Sequence, residues 1–243
     1  MLQQRSFYWL TNPNWLPGVL AAAIFMVPIL AVAESAENER LTNTGNVLKA
    51  LINAPEGIPP NILNKSECVI VLPSVKKGGF IIGAQYGKGA MSCRTGADHS
   101  GPWCAPIMMQ SSGGSVGLQA GGQATDFVVL VMNDKGAGAV LKGKAKLGAD
   151  ASVAAGPVGR DAEASTTGNM AAEMLSYSHS QGVFAGVSLN GTSLGPDDGA
   201  NEKVYGKKIS AEEIYSGVQT PDAGKQFVAI LEEKSPKNLS KGK

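Results

Sequence analysis

The chain has 243 residues, of which 17% are charged, 6% aromatic and 31 glycine. That composition points to a compact, small-residue, β-rich body and argues against a helical bundle or a disordered chain. With 21 basic and 20 acidic residues there is no global field to hold a polyanion, which argues against DNA or RNA binding.

The first 33 residues are expected to act outside the fold. Arg5 is the only charge before Glu34, and residues 16–33 are almost wholly apolar, interrupted by Pro17, Gly18 and Pro28. Ala31-Val32-Ala33 supplies the small-x-small pattern of signal-peptidase cleavage, followed at once by Glu34. The alternative is an uncleaved anchor, since the apolar run approaches spanning length. Cleavage removes Arg5 and no acid, so the mature chain is balanced in charge. The expected layout is a signal peptide at 1–33, one domain at 34–233 and a basic, frayed tail at 234–243. The expected location is periplasmic or secreted, with peripheral contact to a membrane.

Export places the cysteines in an oxidising compartment. Cys93 and Cys104 flank a turn-rich loop and are expected to form a disulfide, leaving Cys68 buried in a strand at 68–72. Read instead as metal ligands, Cys93, His99 and Cys104 lack a fourth partner nearby. No metal or cofactor is expected.

Residues 35–53 predict a helix with Thr44, Val47, Leu48, Leu51 and Ile52 on one face, ended by Pro55, Pro59 and Pro60. Such a helix either covers the sheet or lies in a lipid interface; with one lysine on its polar side, packing is expected. Strands follow at 67–75 and 80–86 around a basic turn, Lys76-Lys77-Gly78-Gly79, and then at 105–110, 115–121 and 125–132. The last is the most hydrophobic run of the mature chain and is expected at the centre of the sheet. Asn133 or Asp134 is placed to cap a short helix through Lys142.

Residues 147–164 look like the organising stretch. Leu147, Ala149, Ala151, Val153 and Ala155 alternate with Gly148, Asp150, Ser152, Ala154 and Gly156, the period of a strand with two faces. Its small side chains predict close approach of another backbone, and Pro157-Val158-Gly159-Arg160-Asp161 a rigid corner. A hairpin is expected from 171–178 and 182–189. Short helices follow at 197–205 and 210–216, the second with Ser210 and Glu213 as a capping box. A last helix spans 222–233. The expected fold is α+β: one domain with an antiparallel sheet core, barrel- or sandwich-like, covered by an N-terminal helix and short C-terminal helices.

Five segments occur in a familiar order: VLPSVKKGGF at 71–80, GGSVGLQAGG at 113–122, MNDKG at 132–136, the stretch 147–164, and GVFAGVSL at 182–189. With these the chain resembles the SYLF family, also called the Ysc84 actin-binding or DUF500 family, in its exported bacterial form. The resemblance covers roughly residues 36–217. It implies a lipid-binding module without catalysis, whose eukaryotic relatives associate with phosphoinositide membranes and in some cases with actin.

Residues that could carry chemistry are few. Residues 138–144 imitate the phosphate-loop spacing, but Ala145 stands where Ser or Thr must hold magnesium. His179 lies between Ser178 and Ser180, yet neighbours on an extended chain point apart, which disfavours a nucleophile–base pair. Asp150, Asp161 and Glu163 near Arg160 read as a corner pinned by charge-assisted bonds. For anionic lipid headgroups the chemistry needs clustered cations beside an apolar surface. Lys76 and Lys77 beside Phe80 satisfy this, and Lys142, Lys144 and Lys146, on one face of an extended segment, would set three charges within about 14 Å. A solvated rim protecting an edge strand is the competing reading. The expected partner is a lipid or membrane surface, with an envelope protein as the alternative.

Overall fold

The computed structural model describes residues 28–55, 57–79, 82–116, 123–143, 145–158, 172–180, 183–186 and 189–240. Helix α1 (Pro28–Asn53) and the short α2 (Pro60–Leu63) precede four long strands. These are β1 (Cys68–Gly79), β2 (Ile82–Cys93), β3 (Ile107–Val116) and β4 (Gln123–Val131). Helix α3 (Asp134–Leu141), β5 (Ala145–Lys146), β6 (Val153–Ala155), β7 (Met174–Ser180), β8 (Val183–Gly186) and β9 (Thr192–Pro196) follow. The chain closes with α4 (Asp198–Tyr205), α5 (Ala211–Gly217), a 3-10 turn (Asp222–Gly224) and α6 (Lys225–Lys234).

All described strands join one sheet in the order β5-β9-β3-β2-β1-β4-β7-β6, with β8 also on β7. Pairing is antiparallel except between β6 and β7, which run parallel. β5 and β6 stand at opposite ends of that order, yet only residues 147–152 separate them along the chain. So short a link forces the sheet to curl into a half-barrel.

The curl explains the long apolar runs. Both faces of the central strands are covered, so neither can be polar. Cys68, Ile70, Leu72, Phe127, Val129 and Val131 enter the core inside the curl. Val69, Val71, Val128, Leu130 and Met132 enter the core on its outer side. There α1 supplies Leu41, Leu48 and Leu51, and α6 supplies Phe227 and Leu231, all fully buried. Each such side chain stabilises the fold by about 2 kcal/mol. Gly45 lets α6 lie close, since a Cβ there would stand 3.3 Å from the Phe227 nitrogen. The amphipathic helix therefore packs on the sheet, as expected.

Local signals held where the chemistry is local. The Asn133 side chain accepts from the Gly136 N–H to cap α3, and Ser210 and Glu213 form the capping box of α5. β4 lies centrally, between β1 and β7.

The stretch at 147–164 departs from the expectation. It is not an inner strand: Gly148, at φ +88°, turns the chain and donates to the Ala151 carbonyl at 2.7 Å. The Asp150 carboxylate accepts from the Lys146 N–H at 2.9 Å. Among the described residues of the stretch only Val153–Ala155 form a named strand, at the sheet's edge. The expected close approach does occur, at its end. A Cβ on Gly156 would stand 2.1 Å from the Tyr177 ring, and one on Gly186 would stand 2.2 Å from the Gly156 oxygen. Residues 159–171, with Arg160, Asp161 and Glu163, lie outside the described residues. The two strands expected at 105–110 and 115–121 form one, β3, in the described part. Lys76–Gly79 is not a turn but the end of β1.

The disulfide is corrected as well. Cys68 is bonded to Cys93, and Cys104 is a buried thiol. Register decides this: Cys68 and Cys93 are directly opposed on β1 and β2 and both point into the inner core. Cys104 is close by, its sulfur accepting from the Cys93 N–H at 3.2 Å, and burial pushes its pKa up. Peptide mapping without reduction is expected to yield a linked Cys68–Cys93 pair, with Cys104 alkylated only after unfolding. A Cys93–Cys104 peptide would contradict the assignment. Cys68→Ala/Cys93→Ala should cost about 3 kcal/mol through the freed 25-residue separation.

The tail is not frayed over its described part. Ser235 is fully buried, and the Leu239 N–H donates to the Asn64 carbonyl at 2.7 Å. Buried carbonyls need donors, and Ser235 O obtains them from Arg94 and Trp103.

Candidate functional site

β1 breaks in its middle. Pro73 has no N–H for the ladder, and register shifts between Val71 and Lys76 toward β2 and between Leu72 and Val75 toward β4. Ser74 sits at φ +51° with its N–H turned to the Asp126 carboxylate at 2.8 Å. The displaced strand leaves a cleft of about 490 Å³ beneath the N-terminal half of α1. Helix spacing brings Ala36, Glu39, Arg40 and Asn43 to one wall. β1 and β2 supply Lys76, Tyr86 and Lys88 among the rest.

The lining carries three cations and one acid, Glu39. Arg40 is held by the Glu37 carboxylate, which Lys203 also approaches at 4.0 Å. The Lys88 ammonium donates to Asp197 at 2.5 Å; that bond, against the cost of burial, raises its pKa. Lys76 is exposed and stands directly across from Tyr86. Tyr86 is 48% exposed, an apolar ring with a polar tip at the rim. Two cations held by carboxylates, the exposed Lys76 and an exposed aromatic together suit an anionic group at an apolar boundary.

The residues expected from sequence scatter. Lys76 lines the cleft, but Lys77 turns to the other face of β1, 5.0 Å above the Phe127 ring. Phe80 and Lys144 lie outside the described residues. Lys142 is the C-cap of α3 and Lys146 sits in β5, so the expected extended run of alternating lysines is not formed. β5 is four places from β1 in the sheet order. Arg40, Tyr86 and Lys88 were not singled out from sequence, because a break in one strand, not a local motif, gathers them.

The profile of the Ysc84 family, described as Las17-binding protein actin regulator, matches residues 112–234. An SH3 domain-containing protein of Schizosaccharomyces pombe is 37% identical over 197 residues, 79% of this chain and 44% of that protein. Protein YSC84 of Saccharomyces cerevisiae is 33% identical over 190 residues, 76% of this chain and 40% of that protein. The human SH3 domain-containing YSC84-like protein 1 is 32% identical over 193 residues, 78% of this chain and 55% of that protein.

The chain belongs to the Ysc84 family. It spans about half the length of these relatives; the family description and the name of LAS seventeen-binding protein 3 of Saccharomyces cerevisiae are those of binding or regulatory proteins. The lookalike motifs in this Ysc84-family chain have structural explanations. Residues 138–143, the described part of that segment, lie on the end of α3 and the turn after it, not between a strand and a helix as a phosphate loop requires. Ser178 Oγ donates to the Ala185 carbonyl at 3.5 Å, whereas His179 Nδ1 lies 3.8 Å from the Asp126 carboxylate. Adjacent on β7, the two side chains serve different neighbours.

Proposed function

We propose that this Ysc84-family chain is a non-catalytic binding protein that takes anionic lipid headgroups at the cleft between α1 and the β1–β2 ribbon. The observation that carries the reading is the convergence of Arg40, Lys76 and Lys88 beside the exposed Tyr86 ring. A headgroup phosphate would sit among the cations while the ring meets the acyl boundary. Each well-placed cation contributes roughly 1 kcal/mol, so the anchor is weak and salt-sensitive. Export through residues 1–33 belongs to the same proposal and would put the site in the envelope or outside the cell. Among the described residues no helix is long and apolar enough to cross a membrane.

A protein partner is the second reading, supported by relatives named LAS seventeen-binding protein. Co-sedimentation separates the two. The purified chain is expected to pellet with anionic vesicles at low salt, to stay soluble with neutral ones, and to lose most binding as salt approaches molar. Lys76→Ala should weaken binding about 5-fold, the equivalent of 1 kcal/mol, while Lys77→Ala, tucked on Phe127, should change it less than about 2-fold. Equal pelleting with neutral vesicles, or none with either, would overturn the proposal.

A further inference from the structure

At the end of the sheet opposite the β1–β2 turn, three adjacent strands bring chemistry together from distant parts of the chain. Glu67 continues β1, donating to the Val131 carbonyl at 2.8 Å and accepting from the Arg94 N–H at 2.8 Å. Asp134 opens α3 just after β4. His99 lies in the loop after β2, held at φ +51°. His99 Nε2 stands 3.6 Å from a Glu67 oxygen and 3.5 Å from Asp134 Oδ1, and the three atoms lie within 4.8 Å of one another.

The tautomer follows from the neighbour. His99 Nδ1 is 2.9 Å from the Arg94 carbonyl oxygen, which can only accept, so Nδ1 carries the hydrogen. In the neutral ring Nε2 then presents its lone pair to two carboxylates. The spacing decides what fits between them. Direct N–H···O bonds are about 2.7–3.2 Å long, shorter than either separation. Ligand atoms around a tetrahedral ion bound at about 2.1 Å stand about 3.4 Å apart. The observed 3.5 and 3.6 Å match the edge of such a tetrahedron.

We propose that Glu67, His99 and Asp134 bind one divalent transition-metal ion, for which Zn²⁺ is the natural probe. Two carboxylates and a neutral imidazole balance a 2+ charge, and the single nitrogen favours zinc-like ions over calcium or magnesium. The Glu67 side chain is 2% exposed, that of His99 10% and that of Asp134 65%. The site thus has two buried ligands and one at the surface, which leaves an entry path and a position for water. The surroundings fix the imidazole as outer-shell partners do in metal sites. The Arg94 carbonyl takes its Nδ1–H. Tyr215, whose hydroxyl donates to the Gly96 carbonyl at 3.0 Å, packs on the ring at 6.0 Å between centroids. The Asn238 amide donates to the His99 carbonyl at 3.0 Å. Cys93 and Cys104, the ligand set with His99 that the sequence argued against for want of a fourth partner, are not in this cluster.

The test uses the full chain stripped with chelator and titrated with Zn²⁺ and Co²⁺ by calorimetry and absorbance. One ion per chain is expected, with a raised Tm and visible Co²⁺ bands without the near-ultraviolet thiolate charge-transfer band. Asp134→Asn, at an exposed position that leaves the core intact, should weaken binding at least about 10-fold. Glu67→Gln should do the same, and Cys104→Ser should leave binding unchanged. No uptake at millimolar metal, equal affinity in Asp134→Asn and the parent chain, or loss of binding in Cys104→Ser would each overturn the proposal.

Discussion

Replacing Arg94 with alanine is expected to cost about 3–5 kcal/mol of stability, roughly a 10 °C fall in Tm for a chain of this size. Arg94 is 0% exposed, and burial pushes its pKa down only to about 10, so it remains a cation at neutral pH. A buried charge is tolerated where its donors find acceptors; here Nε and Nη2 do, while Nη1 has no hydrogen-bond partner among the described residues. Nε donates to Ser66 O at 3.2 Å, while Nη2 donates to Ser235 O and Ser235 Oγ at 2.7 Å and to Lys237 O at 3.0 Å. The guanidinium lies 4.4 Å from the centre of the Trp103 ring, and Trp103 Nε1 donates to the same Ser235 carbonyl at 3.0 Å. One side chain thus ties the segment before β1, the β2–β3 loop and the tail. Arg94→Lys should recover little, because an ammonium cannot reproduce the planar fork or the stacking. Truncation after Lys234 removes the three Nη2 acceptors on Ser235 and Lys237. Its cost should therefore not add to that of Arg94→Ala in a double-mutant cycle. Urea unfolding of the four proteins measures this. A loss below about 1 kcal/mol for Arg94→Ala, or strict additivity, would contradict the arrangement.

The second large effect is expected at Gly89. A Cβ there would stand 1.9 Å from the Val71 carbonyl oxygen and 2.9 Å from the Leu72 Cα, backbone atoms that cannot move without breaking the β1–β2 ladder. The cause is the same break that opens the cleft: β1 bulges at Pro73 and Ser74, and bare backbone on β2 accommodates it. Gly87 shares this role, its Cβ falling 2.5 Å from Val75 Cγ2. Gly89→Ala should cost about 3 kcal/mol or more, at or beyond the upper range for overpacking, and should also distort the cleft. Gly138→Ala provides the contrast. It lies inside α3, and a Cβ there would meet nothing within 4 Å, so alanine should stabilise by about 0.5–1 kcal/mol. Denaturation midpoints moving in the same direction for both would refute the steric account.

Particular residues show where sequence reasoning reaches and where it stops. The run Phe127–Met132 announced a central strand because both faces of β4 are buried and every residue must be apolar. Ser210 with Glu213, and Asn133 before α3, announced helix starts because capping is settled within three residues. The alternation at 147–155 misled because period two in alanine and glycine fits a turn as well as a strand. Positive φ at Gly148 decided for the turn. The cysteine pairing depends on the β1–β2 register, which brings Cys68 opposite Cys93 and has no signature in the spacing of Cys93 and Cys104. The cleft and the Glu67–His99–Asp134 cluster share that difficulty. Their members come from separate elements: the break in β1 gathers the cleft, and the pairing of β1 with β2 and β4 gathers the cluster. Of the cleft, Lys76 was visible in advance, as part of a basic pair whose two members the strand sends to opposite faces; of the cluster, His99 was, but beside Cys93 and Cys104.

The central claim is that anionic lipid is held in the cleft under α1 and not by diffuse charge. Charge reversal tests it most directly, by titrating anionic vesicles against the parent chain, Lys76→Glu and Lys146→Glu, each of which changes net charge equally. Binding should fall roughly 10-fold or more for Lys76→Glu and less than about 2-fold for Lys146→Glu. Equal losses in the two variants, or undiminished binding by Lys76→Glu, would contradict the account.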